Sequence, residues 1–146
     1  MRARYFEDVE VGEQLPPWSR QANYMHWNRY AAVNDEFVPF HMDDEEGRDA
    51  GNPQGGFGMG NLRFAYMANA LRDWAGDDAA IRELGCQYRR INQKNDVLTV
   101  AATVVEKAVV DGEPRVRIEI TVMNQLGEST CPGQAWVALP SRLLGA

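Results

Sequence analysis

The sequence is poor in the residues that build metal centres and disulfides. Its 146 residues include only two cysteines, Cys86 and Cys131, and two histidines, His26 and His41. The cysteines lack CxxC spacing, and no cysteine–histidine cluster has the spacing of a zinc site. We therefore expect two reduced thiols and no metal.

Positive charge and long apolar runs are also scarce. Lysine and arginine total 15 against 21 acidic residues, a net charge of −6. Nucleic-acid-binding proteins usually carry a basic surface, so this balance predicts no nucleic-acid partner. No apolar run is long enough to span a bilayer, and residues 1–8 contain no apolar signal segment. We expect a cytoplasmic protein without a membrane partner.

The composition is that of one globular domain. Hydrophobic residues make up 45% of the chain and charged residues 25%, which is ordinary for a folded soluble domain. A chain of this length has room for one domain with a substantial core. We therefore treat residues 1–146 as a single domain.

The first half of the chain has helical periodicity in two segments. Apolar side chains recur at helical spacing in residues 24–33, which predicts a short helix. Residues 59–74 are rich in good helix formers and are followed by Gly76, a common stop. This predicts a long helix at about 59–75.

After Gly76 the apolar residues alternate with a period of two. Alternating or apolar runs cover residues 84–90, 98–104, 116–122 and 135–139. Such alternation is typical of antiparallel strands with one exposed face, and Asp111-Gly112 predicts a hairpin. The pattern predicts an α+β domain in which a helix packs on a sheet of about four strands.

The polar residues between the two predicted helices are the candidates for chemistry. A turn that contains Pro39 separates Asp35 from His41, and it must be extended at Val38. A carboxylate beside an imidazole can activate water, and the N–H groups at the start of the following helix can hold an oxyanion. This arrangement suits hydration of a conjugated double bond or hydrolysis of a thioester. The same residues are also typical of turns that have no catalytic role.

These residues resemble the signature of a known family. Residues 34–43 (NDEFVPFHMD), then Gly51 and residues 56–59 (GFGM), resemble the MaoC-like dehydratases, which are R-specific enoyl-CoA hydratases with the hot-dog fold. Segments 6–13, 124–128 and 135–140 extend the resemblance over nearly the whole chain. Two features depart from the family pattern. Five residues, rather than four, separate Asp35 from His41, which adds Glu36 as a second carboxylate, and Asn34 stands where glycine is common.

The resemblance implies a hot-dog fold, with an antiparallel sheet wrapped around the helix at about 59–75, in at least a dimer. It implies addition of water to a trans-2-enoyl-CoA thioester, with coenzyme A as part of the substrate and no cofactor. Asp35 and His41 match the dyad that activates water, and Gly58 matches the backbone N–H that holds the thioester oxygen. The residues implied to contact the substrate are Asn34, Phe40, Gly56, Phe57 and Met59.

Two other functions stay open at this point. One is a hot-dog acyl-CoA thioesterase, and the other is a non-catalytic subunit that pairs with a second hot-dog chain in a heteromeric hydratase. The acyl chain of the substrate is also open.

Several polar side chains near these motifs allow two interpretations each. The cluster of Arg89, Arg90 and Lys94 is either a solvated strand end or a contact for coenzyme A phosphates. Arg63 on the long helix either reaches a partner chain or forms a salt bridge. Asp43 either holds the imidazole or caps the next helix.

Overall fold

The elements of the fold follow the predicted α+β order, in a computed structural model that describes residues 4–143. Residues 1–3 and 144–146 of the predicted domain lie outside the described residues. The helices are α1 (Tyr24–Asn34), α2 (Asp44–Asp49) and α3 (Gly60–Ala75). The strands are β1 (Trp18–Gln21), β2 (Ala80–Cys86), β3 (Val97–Val110), β4 (Glu113–Met123) and β5 (Ser129–Ala138).

The described strands form one antiparallel sheet in the order β1-β3-β4-β5-β2. Strand β4 buries every second side chain, as its alternation predicts. Asp111 and Gly112 turn the chain from β3 into β4, and both have positive φ, 52° and 81°. This confirms the predicted hairpin, because two-residue hairpin turns of this kind need positive φ at both positions.

Helix α3 is the predicted long helix, and it packs against β2, β3 and β4. Its buried face includes Tyr66, Met67, Leu71 and Trp74. Burying a large apolar side chain stabilises a fold by about 1.5–3 kcal/mol, so this face fixes the helix on the sheet. Met59 precedes the first turn and Gly76 follows the last, with a φ of 86°.

Two strands differ from the prediction. Strand β1 was not predicted, because one of its four residues is half-buried and three are exposed, so no alternation marks it. Strand β2 begins and ends four residues before the predicted 84–90, since a register shift between Ile81 and Glu83 interrupts its alternation.

The connection between α1 and α3 follows the sequence more closely. Val38 is extended (φ −91°, ψ 126°), as Pro39 requires, and a 3-10 turn follows at Pro39–His41. Within residues 4–143, no helix is both long enough and apolar enough to cross a bilayer.

Candidate active site

Three backbone segments meet where α3 begins. The N–H of Phe57 donates to the Phe40 carbonyl oxygen at 3.3 Å, which joins the 3-10 turn to the segment before α3. On the other side, the N–H of Gly58 donates to the Asn92 carbonyl oxygen at 3.0 Å, and Phe57 forms a bridge with Gln93. Backbone hydrogen bonds therefore hold His41 at a fixed distance from the start of the helix.

His41 is oriented as a base. Its side chain is 7% exposed and lies against the rings of Phe40 and Phe57, with centroids 4.5 and 5.1 Å away. Its Nδ1–H donates to the Phe57 carbonyl oxygen at 2.6 Å, since a carbonyl only accepts. The other ring nitrogen, Nε2, then carries the lone pair. Burial lowers the pKa of His41, while the Phe57 bond and the Glu36 carboxylate oppose that shift. The imidazole is therefore mostly neutral at pH 7.

Two carboxylates, those of Asp35 and Glu36, lie at the end of α1 and differ in their surroundings. Asp35 ends α1 in the left-handed conformation (φ 55°, ψ 37°), where its N–H caps the Ala31 carbonyl, and its side chain is exposed. The electrostatic partner that raises the pKa of His41 is Glu36, which is half-buried. Four residues separate Glu36 from His41 in the sequence. Asp35 as the partner of His41 therefore stays a prediction, and Glu36 is a second candidate for the carboxylate.

Two side chains connect Glu36 to the far side of the site. Asn61, on the first turn of α3, donates from Nδ2 to Glu36 Oε2 at 3.4 Å. The Tyr88 hydroxyl donates to Asn61 Oδ1 at 3.1 Å. Burial raises the pKa of Tyr88 to about 12, so the hydroxyl stays protonated and keeps donating at neutral pH. No sequence motif marks Asn61 or Tyr88, because isolated polar side chains on a helix or after a strand form no recognisable pattern.

The predicted oxyanion donor, Gly58, already has a partner. Its N–H is bound to the Asn92 carbonyl oxygen, and a Cβ at this position would lie 1.8 Å from Asn92 Nδ2. Close packing against Asn92 therefore explains the glycine. Gly60 is the first residue of α3, where an N–H has no acceptor inside the helix. A Cβ at Gly60 would lie 2.8 Å from the Tyr88 ring.

His41, Gly58, Gly60 and Tyr88 line one cavity of about 350 Å³, and Glu36 and Asn61 are not among its lining residues. Its walls are the rings of Phe40, His41 and Phe57, the α3 residues Gly60 and Arg63 with the preceding Gly58, and residues 88–91. The size is at the lower end for small-molecule sites, which usually span about 300–1,000 Å³.

The predicted substrate contacts divide into two groups. Phe40 and Phe57 line the cavity and stack with their centroids 5.1 Å apart. Asn34 is exposed and donates to the Tyr30 carbonyl oxygen. Gly56 is buried where a Cβ would lie 2.3 Å from the Tyr24 hydroxyl, and Met59 is 0% exposed in the core. The last three residues lie outside the walls of this cavity.

Other polar residues near the site have structural partners. Asp43 caps α2 by accepting from the N–H groups of Glu45 and Glu46, which decides between its two predicted roles. Lys94 binds Asp44 through two hydrogen bonds of 2.8 and 2.7 Å. Lys94 is thus neutralised and is not part of a free basic cluster with Arg89 and Arg90.

Arg63 was predicted to form a salt bridge or reach a partner chain. Its side chain is 3% exposed, and within residues 4–143 it forms no ion pair with a carboxylate. The salt-bridge prediction is therefore wrong for this part of the chain. Within the same residues, no group of three or more His, Cys, Asp or Glu side chains is placed to hold a metal ion.

Comparison with known proteins gives results for structure alone, since no family model and no curated protein matches the sequence. The R-hydratase PhaJ1 from Pseudomonas aeruginosa, in its unliganded form, matches with a TM-score of 0.83 and 23% identity over 94% of this chain and 86% of that one. The MaoC-like dehydratase from Rhodospirillum rubrum matches with a TM-score of 0.79 and 20% identity, covering 96% of this chain and 99% of that one. The fold is a hot dog.

A third similar structure is a complex of two different chains. The ChsH1–ChsH2 complex from Mycobacterium tuberculosis matches with a TM-score of 0.78 and 21% identity, covering 90% of this chain and 98% of that one. This hot-dog chain thus resembles R-hydratases and MaoC-like dehydratases in structure, which confirms the fold expected from its motifs. Identities of this size establish the fold and leave the chemistry to the site itself.

Proposed function

We propose that this hot-dog chain is a hydro-lyase that adds water to trans-2-enoyl-CoA thioesters. The observation that carries the proposal is His41, a buried neutral imidazole with its Nδ1–H bound to the Phe57 carbonyl and the Glu36 carboxylate acting on it. A carboxylate–imidazole pair beside a partly apolar cavity can activate water. The fold shared with R-hydratases and MaoC-like dehydratases supports the same reaction class.

In the proposed reaction, Nε2 of His41 accepts a proton from water as the water oxygen bonds to the β-carbon of the enoyl group. The electron pair of the double bond moves toward the thioester oxygen and gives an enolate. The imidazolium then delivers its proton to the α-carbon, so one molecule of water is added and His41 is restored. The Glu36 carboxylate orients the water and stabilises the imidazolium, since it raises the pKa of His41.

The proposed donor to the enolate oxygen is the backbone N–H of Gly60. It lies at the start of α3, lines the cavity, and has no acceptor within its helix. Helix N-termini stabilise negative charge, and charge on the thioester oxygen grows only as the reaction proceeds. Gly60 replaces the predicted Gly58 in this role because the Gly58 N–H is bound to Asn92.

The proposed substrate is an acyl-CoA thioester, and no cofactor enters the reaction. We further propose that the functional unit is a homodimer or a pair with a second hot-dog subunit. Strand β2 supports an assembly because it pairs with β5 alone among the described strands and leaves one edge open to another chain.

A non-catalytic subunit is the second candidate, and two observations favour it. Asp35, the carboxylate that the motif predicts, is exposed, and the Gly58 N–H is bound to Asn92. The similarity to a complex of two different chains is also consistent with such a role. In that case the chain shapes the assembly while its partner carries out the chemistry.

The test is an assay of the purified protein on trans-2-enoyl-CoA thioesters of increasing bulk. Loss of the conjugated thioester absorbance and release of free thiol are followed in the same tube. We expect loss of conjugation without thiol release. His41→Ala should lower kcat/KM by about 100-fold or more, as removal of a general acid–base group does.

The second histidine of the chain provides a matched control. His26 lies on α1, and its Nδ1 bonds the Asn23 side chain at 2.9 Å, so His26→Ala should change kcat/KM by less than about threefold. Thiol release would replace the proposal with a thioesterase. Absence of both signals on every thioester, for a protein that is folded, would favour the non-catalytic subunit.

A further inference from the structure

Arg63 is a buried cation that the proposed reaction does not use. It projects from the second turn of α3, is 3% exposed, and lines the same cavity as His41. The titratable groups that act electrostatically on Arg63 are Cys131, Tyr88 and Cys86. Burial raises the pKa values of Cys131 and Tyr88 to about 12, so both are neutral at pH 7. Arg63 therefore has no negative side chain beside it in the described part of the chain.

The hydrogen bonds of Arg63 leave one edge of its guanidinium without a partner. Nη1 donates to the Arg90 carbonyl oxygen at 2.6 Å and to the Thr130 carbonyl oxygen at 3.2 Å. Nε is buried and has no acceptor, and Nη2 forms no hydrogen bond within residues 4–143. Nε and Nη2 form the edge of a guanidinium that binds the two oxygens of a carboxylate side by side.

A buried, uncompensated guanidinium is costly to a fold. Two carbonyl oxygens do not neutralise a full positive charge, and burial already lowers the pKa of Arg63. An anion bound in the cavity beside Arg63 would offset this free-energy penalty by pairing with the guanidinium. The Tyr88 ring lies 5.2 Å from the guanidinium carbon and covers one side of it, which restricts where the anion can approach.

We propose that Arg63 binds a carboxylate on the acyl group of the substrate, which makes the preferred substrate a thioester of a dicarboxylic acid. This inference rests on the proposed function, because it assigns the substrate class of that same site. His41 and Arg63 line the same cavity of about 350 Å³, so one bound acyl group is accessible to both side chains.

Two other anionic groups of the substrate fit Arg63 less well. The phosphates of coenzyme A are strongly hydrated and are better matched by Arg89 and Arg90, which are exposed at the same cavity. The thioester oxygen is uncharged until the reaction begins, so it does not neutralise the guanidinium in the bound state. A carboxylate on the acyl chain supplies both the charge and the two oxygens.

The test measures binding, so that it does not depend on turnover. Glutaryl-CoA and succinyl-CoA are compared with the uncharged pentanoyl-CoA and butanoyl-CoA, and with coenzyme A alone, by isothermal titration calorimetry. We expect at least one carboxylate-bearing thioester to bind about 10-fold or more tightly than its uncharged partner. Arg63→Gln should remove that preference, whereas Arg72→Gln, an exposed arginine on the same helix, should keep it.

The wild-type comparison remains informative even if Arg63→Gln does not fold. Arg63→Lys keeps the positive charge but lacks the two parallel N–H donors of the guanidinium, so it should reduce the preference for the carboxylate-bearing thioester. Equal wild-type affinity for charged and uncharged thioesters would overturn the inference, as would a preference that survives Arg63→Gln in a folded protein. A matching loss of affinity for coenzyme A alone would assign Arg63 to the phosphates and would also overturn it.

The enoyl forms of the same pairs separate this inference from the proposed function. Hydration of charged and uncharged enoyl thioesters with equal kcat/KM would support the hydro-lyase and contradict the carboxylate site. A binding preference without turnover would support the carboxylate site and contradict the hydro-lyase.

Discussion

Two polar clusters flank the segment that leads into α3, and they differ in how their charges are satisfied. In the first, the Asp44 carboxylate accepts from Lys94 at 2.8 and 2.7 Å, from the Tyr24 hydroxyl at 2.6 Å and from the Gly56 N–H at 3.0 Å. These partners hold the pKa of Asp44 far below its usual range. In the second, the cavity beside His41, Arg63 is buried and has no counter-ion among residues 4–143.

The difference indicates that the Asp44 cluster stabilises the fold, whereas the cavity beside His41 is available to a ligand. The Asp44 cluster joins α2 and Lys94 to Gly56, and its four hydrogen bonds leave little capacity for a ligand. At the cavity, by contrast, the Nε–Nη2 edge of Arg63 has no hydrogen-bond acceptor among the described residues. Buried polar groups are normally hydrogen-bonded, so the unpaired Nε of Arg63 beside a cavity indicates a binding site.

The largest effect expected from breaking this arrangement is on turnover. Glu36→Gln keeps the shape of the side chain and removes its charge, so the imidazolium that forms on His41 loses its stabilising carboxylate. We expect kcat/KM on the best enoyl thioester to fall by about 100-fold. Asp35→Asn should cost less than about threefold, because asparagine is also accepted in the left-handed conformation that ends α1. Equal losses in the two variants would contradict the assignment.

A smaller loss is expected from Gly60→Ala. The added Cβ would lie 2.8 Å from the Tyr88 ring, so the ring or the helix start must move. Displacing a positioned donor by a fraction of an ångström should lower kcat by about 10-fold, with KM less affected. The measurement is steady-state kinetics on the same thioester. A kcat of Gly60→Ala equal to that of the wild type would contradict the role of the Gly60 N–H as the donor to the enolate oxygen.

Substitutions in the Asp44 cluster should lower the stability of the protein and leave turnover unchanged. Tyr24→Phe removes the hydrogen bond to Asp44, and we expect the free energy of unfolding to fall by about 1–2 kcal/mol. Tyr30→Phe is the matched control on the same helix, since the Tyr30 hydroxyl forms no hydrogen bond in the described chain, and it should change stability by less than about 0.5 kcal/mol. Urea unfolding measures both. A large loss of kcat/KM in Tyr24→Phe would contradict the division between the clusters.

The smallest effect concerns the pH dependence of the wild type. Neutral His41 is the active form, and its pKa lies below the ordinary 6.5 because the ring is buried. Activity should therefore be constant down to about pH 6.5 and fall only as the pH drops through the lowered pKa. A profile of kcat/KM against pH checks this. An acid limb centred above 6.5 would show that another group, or a different state of His41, controls the rate.

The fold was largely predictable because its signals are local. The helical period of residues 59–74, the stop at Gly76 and the Asp111-Gly112 turn each act within a few residues. Strand β1 has no such signal, since its pairing with β3 depends on residues about 80 positions away in the sequence. The bulge in β2 likewise belongs to its pairing with β5.

The site was predictable in part. His41 and the rings beside it follow from the motif, whereas the choice between Asp35 and Glu36 depends on where α1 ends. Asp35 takes the left-handed position at the end of α1, and Glu36, the next residue, raises the pKa of His41. The burial of Arg63 depends on the carbonyl groups of Arg90 and Thr130, which lie 27 and 67 residues away. The local sequence around Arg63 therefore does not predict these hydrogen bonds.

The most direct test of the account is the pKa of His41, read by NMR titration of the imidazole. The chain has only two histidines, and His26→Ala identifies the signal of His41. Glu36 raises this pKa, so Glu36→Gln should lower it, while Asp35→Asn should leave it unchanged. The opposite result would be a lower His41 pKa in Asp35→Asn and an unchanged His41 pKa in Glu36→Gln. It would assign the carboxylate role to Asp35 and contradict the proposed pairing of Glu36 with His41.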